Sequence, residues 1–402
     1  MFETQYFSDI LWFLFAAVLV SAISARIRSS PVLGYLMAGV AMGPWALDLI
    51  QNVENSRNIS ELGLVFLFFA IGLGMSIERL LILRRYLFGL GTLQVVITGA
   101  VLIGISHLLG FPLMTSIIVA SSLALSSTAI VLQLLSEANE MSSRHGRVTF
   151  SVLLLQDLAA ILLLVLVDFI KPNPSGESEA MTIMYVAVNI LKSAGGVVFM
   201  VILGRFVIRP IFRFLGDAYQ ADLFMAFTLL VILGTSALAH KIGVSIEFAA
   251  FTIGLLLSDS EFRNKVENVI RSFRGLLLGL FFMGIGMSIS ITMLWTYLGS
   301  ILGLTLIFIP IKFVIMYVSS RSFGLSHWVA VRVSTYIAPG GEFAFVILGP
   351  AILHQLISPE IGNIAVLAAA ISMMCTPLLD RLIRWLMPVE EEQDEVVEEE
   401  TV

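Results

Sequence analysis

Runs of apolar residues long enough to cross a bilayer follow one another along almost the whole chain. In hydrocarbon every backbone amide and carbonyl has to be satisfied inside the protein, so runs of this length form helices. Cutting at charged and Pro/Gly loops yields thirteen spans. They fall roughly at 7–25, 31–50, 59–77, 86–109, 113–135, 147–169, 183–208, 220–240, 243–258, 273–291, 294–319, 327–353 and 361–387. Only 13% of the 402 residues are charged, against about 25% in a soluble domain. The expected class is an all-α polytopic membrane protein. The opening "MFETQYFSD" has two acids and no base, so the first run reads as a retained span rather than a signal peptide. The single cysteine, Cys375, excludes an internal disulfide and a Cys-based metal site and reads as a small buried hydrophobe. The net charge of −6 comes from the tail "EEEQDEVVEEE", which is expected to be disordered.

The basic residues test the span count. Of 23 Lys and Arg, 18 fall in every second loop or at the C-terminal end. Arg57, Lys171 and Lys241 lie on the other side, Lys192 nearer to it, and Lys312 within a span. The positive-inside rule then puts the N-terminus outside and the C-terminus in the cytoplasm. A miscounted span would break the alternation, and it does not break.

"IGLGMSI" (71–77) recurs as "MGIGMSI" (283–289), at an offset of 212. The two copies lie seven spans apart, an odd number, so they would run through the membrane in opposite directions. Inverted repeats of this kind are a mark of secondary transporters. The same offset pairs the fifth span with the twelfth. The fifth carries Ser126, Ser127 and Thr128 midway, and the twelfth carries Pro339, Gly340 and Gly341 at its middle, where a helix should break. Interrupted spans at matching positions of two repeats point to an ion site, because the freed carbonyls and amides need a polar neighbourhood at mid-depth. Glu342, just after the second break, can offset the positive end of the following half-helix.

Asp157 lies at the centre of the sixth span, in "SVLLLQDLAAILLL". An ionised aspartate there costs about 2.5–3.5 kcal/mol on insertion scales, which a partner or a cation must offset. Burial favours the protonated acid and a nearby cation favours the carboxylate, so such a group can exchange H⁺ for a monovalent metal ion. Gln156 next to it offers a carbonyl oxygen, a hard ligand suited to an alkali cation. Lys312, central in the eleventh span, is expected to be the counter-charge of Asp157 or Glu342, either permanently or until a cation displaces it. The five histidines lie at span ends or in loops without metal-ligand spacing, and Glu247 sits shallowly in the ninth span. No nucleophile–base pair, phosphate loop or metal cluster suggests an enzyme.

At these residues the chain resembles the monovalent cation:proton antiporter-2 family, above all the membrane domain of the Kef-type potassium:proton antiporters. The matching stretches are "SPVLGYLMAGVAMGP" (30–44), "SSTAIVLQLLSE" (126–137), "GRVTFSVLLLQDLAAI" (146–161), "LLLSDSEFRNKVE" (255–267), "FRGLLLGLFFMGIGMSI" (273–289) and "GGEFAFVIL" (340–348). Many relatives carry Asp-Asp where the Kef branch, like this chain, carries Gln-Asp. The resemblance implies a sodium/proton antiporter-like fold with two crossed broken helices. Its parts would be dimer or scaffold helices over 1–83 and 216–291, a moving core over 84–170 and 292–388, a linker helix over 171–215, and a disordered acidic tail over 389–402. It implies a homodimer in a bacterial cytoplasmic membrane, using an elevator motion to exchange K⁺ for H⁺ electroneutrally. A Na⁺/H⁺ antiporter and a gated, channel-like K⁺ efflux component are the alternatives. Asp157 carries over as the ion and proton site with Gln156 as its neighbour, Thr128 and Glu342 as groups balancing the half-helix dipoles, and Lys312 as the lysine of the eleventh span. Ser126, Ser127, Pro339, Gly340 and Gly341 form the supporting crossing. Neither a cofactor nor a nucleic-acid partner is expected. Kef proteins continue into a cytoplasmic nucleotide-binding domain; no G-x-G-x-x-G follows a strand here. Any such gating would come from a separate cytoplasmic subunit or from chain outside this sequence.

Overall fold

The computed structural model describes residues 2–27, 31–50, 53–75, 83–169, 195–196, 198–216, 221–242 and 246–387. The tail at 389–402 and most of the expected linker segment, 170–194, lie outside them. Among the described residues all regular structure is helical. The first half comprises α1 (Phe2–Ile27), α2 (Pro31–Met42), α3 (Val53–Gly74), α4 (Arg85–Leu108), α5 (Leu113–Ala124), α6 (Thr128–Glu137) and α7 (Arg144–Phe169). A π-helical turn, Gly204–Ile208, leads into α8 (Arg209–Gly216). The second half comprises α9 (Ala221–Ile242), α10 (Ile246–Ser258), α11 (Arg263–Ser288), α12 (Ile291–Thr296), α13 (Leu298–Ser322), α14 (His327–Ile337), α15 (Phe343–Leu353) and α16 (Pro359–Leu386).

Local chemistry explains several of these boundaries. Ser326 and Ser358 cap α14 and α16, each accepting from the backbone N–H three residues on, and Pro359 opens α16 where its missing N–H costs nothing. Gly324, at φ +81°, turns the chain after α13 in a conformation that disfavours a side chain.

Among the described residues six helices are long and apolar enough to cross a membrane on their own: Arg85–Leu108, Leu113–Glu137 across its break, Arg144–Val167, Asp222–Ala239, Leu298–Ser322 and Pro359–Leu386. Arg263–Arg271 and Gly275–Met287, bent by 48°, add a seventh when taken as one span. The thirteen-span reading counts shorter apolar helices too, among them Ser8–Ser24, Leu62–Gly74, Phe248–Ser258 and Phe343–Leu353.

The helices pack in two groups. In the first, α2 packs on α11 and α3 packs on both α10 and α11. The contacts are reciprocal: a Cβ on Gly72 would strike the Phe251 carbonyl while one on Gly254 would strike that of Phe69. Gly39 and Gly286 relate α2 to α11 in the same way, through the carbonyls of Met283 and Leu36. Small residues let membrane helices approach to backbone contact, and here they do so from both sides of each pair. Both copies of the repeated heptapeptide lie at the C-terminal ends of these helices, α3 ending at Gly74 and α11 at Ser288; positions 76 and 77 lie outside the described residues.

In the second group α4–α7 pack with α13–α16. The broken helices lie at its centre. One break separates α5 from α6 at 125–127 and the other separates α14 from α15 at 338–342; at the offset of the repeat their starts match to within one residue, and the second break is the longer.

Candidate ion-binding site

A helix that stops inside a protein leaves carbonyls at one end and amides at the other without partners. The two breaks create four such ends side by side; the two carbonyl ends share one lysine, and the amide ends use acids and hydroxyls. Gly341 passes so close to the other break that an added Cβ would lie 2.6 Å from the Ser126 carbonyl oxygen and 2.7 Å from the Ser127 nitrogen.

The carbonyl ends are served by Lys312. Fully buried on α13, its Nζ donates to the carbonyls of Leu123 (2.9 Å), Leu125 (3.0 Å) and Pro339 (2.8 Å) and to Ser126 Oγ (3.1 Å). An ammonium has three protons, shared here among four oxygens. The sequence suggested a carboxylate partner; the lysine instead places its charge where α5 and α14 both present the negative ends of their dipoles. Ser126 Oγ in turn donates to the Ile337 carbonyl at 2.6 Å, tying the two breaks together.

The amide ends are served by acids and hydroxyls. Glu342 Oε1 accepts from the Ala129 N–H of α6 at 3.4 Å, although Glu342 itself sits at the start of α15. The sequence placed this charge at the half-helix that follows Glu342; its Oε1 meets the other broken helix. Ser127 caps α6 by accepting from Ile130 N, and Ser372 on α16 accepts from Gly340 N at 2.9 Å.

Asp157 and Gln156 approach the first break from α7. Thr128 Oγ1, on the first residue of α6, donates to Asp157 Oδ1 at 2.7 Å, and Asp157 is 4% exposed. Gln156 Oε1 accepts from the Ser126 N–H at 2.9 Å, so one of the lone pairs expected for a cation is committed to the backbone. Its Nε2 donates to Gln94 Oε1 at 2.7 Å, and Gln94 Nε2 donates to the Ala124 carbonyl and to Thr98. Every site residue named from the sequence therefore meets at one crossing. Gln94 was missed; its signal is a glutamine and a threonine four residues apart in an otherwise apolar span, which puts both on one helix face.

A second polar cluster, also missed, lies where the loop after α6 meets α7, α14 and α16. Arg384 binds Glu140 through both terminal nitrogens (2.7 and 2.8 Å) and Asp380 through Nε (2.9 Å), while Tyr336 donates to Asp380 at 2.8 Å. His145 Nε2 lies 3.2 Å from Glu140. Burial pushes the Glu140 carboxyl up, but the hydrogen bonds and charges of His145 and Arg384 outweigh it and hold the group down at about 2. Arg332 is 1% exposed, lies over the Trp328 ring at 4.8 Å and stands 3.8 Å from Glu140 and 3.9 Å from Asp380. Three of these residues were read from the sequence only as loop cations or a span-end histidine. Cys375 is half-buried and free. No group of three His, Cys, Asp or Glu with metal-holding geometry occurs among the described residues.

The fold is similar to that of the sodium proton antiporter MjNhaP1 from Methanocaldococcus jannaschii. Its structure at pH 8 superposes with a TM-score of 0.70 at 18% identity, over 96% of this chain and all of that one. An electron-microscopy structure of the same antiporter gives 0.67 at 16% identity. In sequence the chain is 42% identical over 404 residues to K(+) efflux antiporter 2, chloroplastic, and 43% identical to K(+) efflux antiporter 1, chloroplastic, both from Arabidopsis thaliana. Each match covers 96% of this chain and 34% of the relative, so the chain spans about a third of the length of these curated relatives. The profile of the transmembrane sodium/hydrogen exchangers matches residues 13–381, and the chain belongs to that family.

Proposed function

We propose that this chain is the membrane part of a secondary antiporter that exchanges a monovalent cation, K⁺ foremost, for H⁺, with Asp157 as the carrier. The observation that carries the reading is the division of charge at the crossing. Lys312 is spent on the carbonyl ends and Glu342 reaches an amide end, while Asp157, 4% exposed, accepts a hydrogen bond from the Thr128 hydroxyl. Thr128 can donate to the carboxylate, and its hydroxyl oxygen can also accept from the protonated acid. The side chain therefore tolerates both forms, which is what alternate binding of H⁺ and a cation requires. Relatives named K(+) efflux antiporters favour K⁺ over Na⁺ as the cation, although the neighbouring fold is that of a sodium proton antiporter.

In this reading thirteen spans cross the membrane with the N-terminus outside. The helices of 1–83 and 216–291 form the scaffold of a homodimer, and those of 84–170 and 292–388 move as an elevator. One carboxylate serves one proton or one cation, so exchange is electroneutral. The test is ion-driven pH change in proteoliposomes, measured with an enclosed pH dye while K⁺, Rb⁺, Na⁺ and Li⁺ are titrated in turn. Asp157→Asn should abolish the dye response to every cation. Exchange at the wild-type rate in that variant would overturn the carrier assignment.

A further inference from the structure

Two orphan groups flank the first break, the Ala124 carbonyl and the Ser126 N–H, and two glutamines in series satisfy both. Gln94 Nε2 donates to Ala124 O at 3.3 Å, Gln156 Nε2 donates to Gln94 Oε1 at 2.7 Å, and Ser126 N donates to Gln156 Oε1 at 2.9 Å. Gln94 and Gln156 are both fully buried.

The direction of this chain of bonds is set at both ends by the backbone. A carbonyl can only accept, so the amide nitrogen of Gln94 must face Ala124 and its oxygen must face Gln156. A backbone N–H can only donate, so the oxygen of Gln156 must face Ser126 and its nitrogen must face Gln94. Turning either amide over would set donor against donor or acceptor against acceptor, buried, in two places. Thr98 holds the other proton of the Gln94 amide at 3.2 Å.

We infer that Gln94 is a positioning residue for exchange: it holds Gln156 as an oriented, neutral amide against the first break, and so sets the geometry of the cation site beside Asp157. The inference rests on the reading of Asp157 as the carrier. It also explains chemically why position 156 is neutral in this chain. A carboxylate there could accept from Ser126 and from a turned-over Gln94, but the Gln94 oxygen would then confront the Ala124 carbonyl.

The test uses purified protein in liposomes and separates apparent cation KM from maximal rate. Gln94→Leu should raise the KM for K⁺ about tenfold, with a maximal rate within about threefold of wild type, because one buried hydrogen-bond chain is lost while the carrier is kept. Gln156→Leu should raise it similarly, and the double variant should be no worse than either single one, since both act on the same chain of bonds. Gln94→Glu guards against misfolding of the leucine variant. A protonated carboxyl can still donate to Ala124 O and accept from Gln156 Nε2, and a carboxylate cannot donate at all. Its KM should therefore match wild type at the acid end of the pH range and rise steeply towards the alkaline end. Multiplying effects in the double variant, a wild-type KM in Gln94→Leu, or a Gln94→Glu KM that tracks wild type at every pH would each overturn the inference. Exchange by Asp157→Asn would instead overturn the carrier assignment on which it rests.

Discussion

Gly341→Ala adds one methyl group at the point where the two broken helices touch. The new carbon would start 2.6 Å from the Ser126 carbonyl oxygen and 2.7 Å from the Ser127 nitrogen, against an ordinary contact of 3.4 Å or more. It would lie closer still, 2.4 Å, to the Ser126 carbonyl carbon, so the breaks must part by about 1 Å to admit it, and the atoms in the way are backbone, which has no rotamer to yield. Parting by that amount stretches the Ser126 Oγ–Ile337 O bond well beyond its 2.6 Å and carries Ala129 N out of reach of Glu342, already 3.4 Å away. It also pulls Lys312 between Leu125 O and Pro339 O, which it holds from opposite sides. Overpacking costs about 1–3 kcal/mol and each lost hydrogen bond about 1 kcal/mol, so a destabilisation of about 3 kcal/mol is expected at the site. A displacement approaching 1 Å at a reacting centre costs on the order of 10²-fold in rate. The assay is cation-driven proton exchange in proteoliposomes, normalised to folded protein by size-exclusion fluorescence. Gly349→Ala is the matched control: it lies in α15, the half-helix that follows the break, with nothing within 4 Å of its added carbon, and alanine suits a helix better than glycine. The control should transport as wild type does. Exchange by Gly341→Ala within about twofold of the control would refute the claim that backbone contact sets the crossing.

Two further perturbations probe the charges. Lys312→Met strands three buried carbonyl oxygens, each worth about 1–3 kcal/mol, and removes a bond to Ser126 Oγ, and should sharply lower the apparent melting temperature. Because the lysine serves carbonyls, adding Asp157→Asn should not restore that melting temperature; recovery in the double variant would point to a carboxylate partner after all. For Glu140, the folded-state carboxyl sits at about 2, below its ordinary 4.5, so its stabilising share is complete above about 4.5 and is lost as pH falls from there towards 2. Thermal midpoints over an acid series should drop through that window in the wild type and change less in Glu140→Gln; parallel curves would remove Glu140 as the cause.

What the sequence revealed followed from the solvent it was read against. A bilayer makes an aspartate in the middle of an apolar run conspicuous, and Pro339-Gly340-Gly341 announces a break because proline has no N–H and a helix interior penalises glycine. Asp157 and the second break were legible for that reason, and the first break, which has neither proline nor glycine, through its serines and the offset of the repeat. The partners of Lys312 were not, because main-chain carbonyls leave no trace in residue names; only the packing of α13 against both breaks brings Leu123, Leu125 and Pro339 to it. Gln94 carries no charge and so did not stand out at depth. Arg332, Asp380 and Arg384 lie near span ends, where charged residues ordinarily reach water; the neighbouring helices bury the first two and half-bury Arg384.

The pairs α2–α11 and α3–α10 join through glycines and carbonyls with no side chain between them at those points. Interfaces of this kind freeze few torsions when they form, so little rotamer entropy is returned if they come apart, and heat gains correspondingly little leverage on them. They also have no alternative side-chain arrangement into which to relax. A frame built this way behaves as a stiff mechanical member. In the proposed exchange, strain would then be taken up at the seams between this frame and the helices around the breaks, where side chains can reorder.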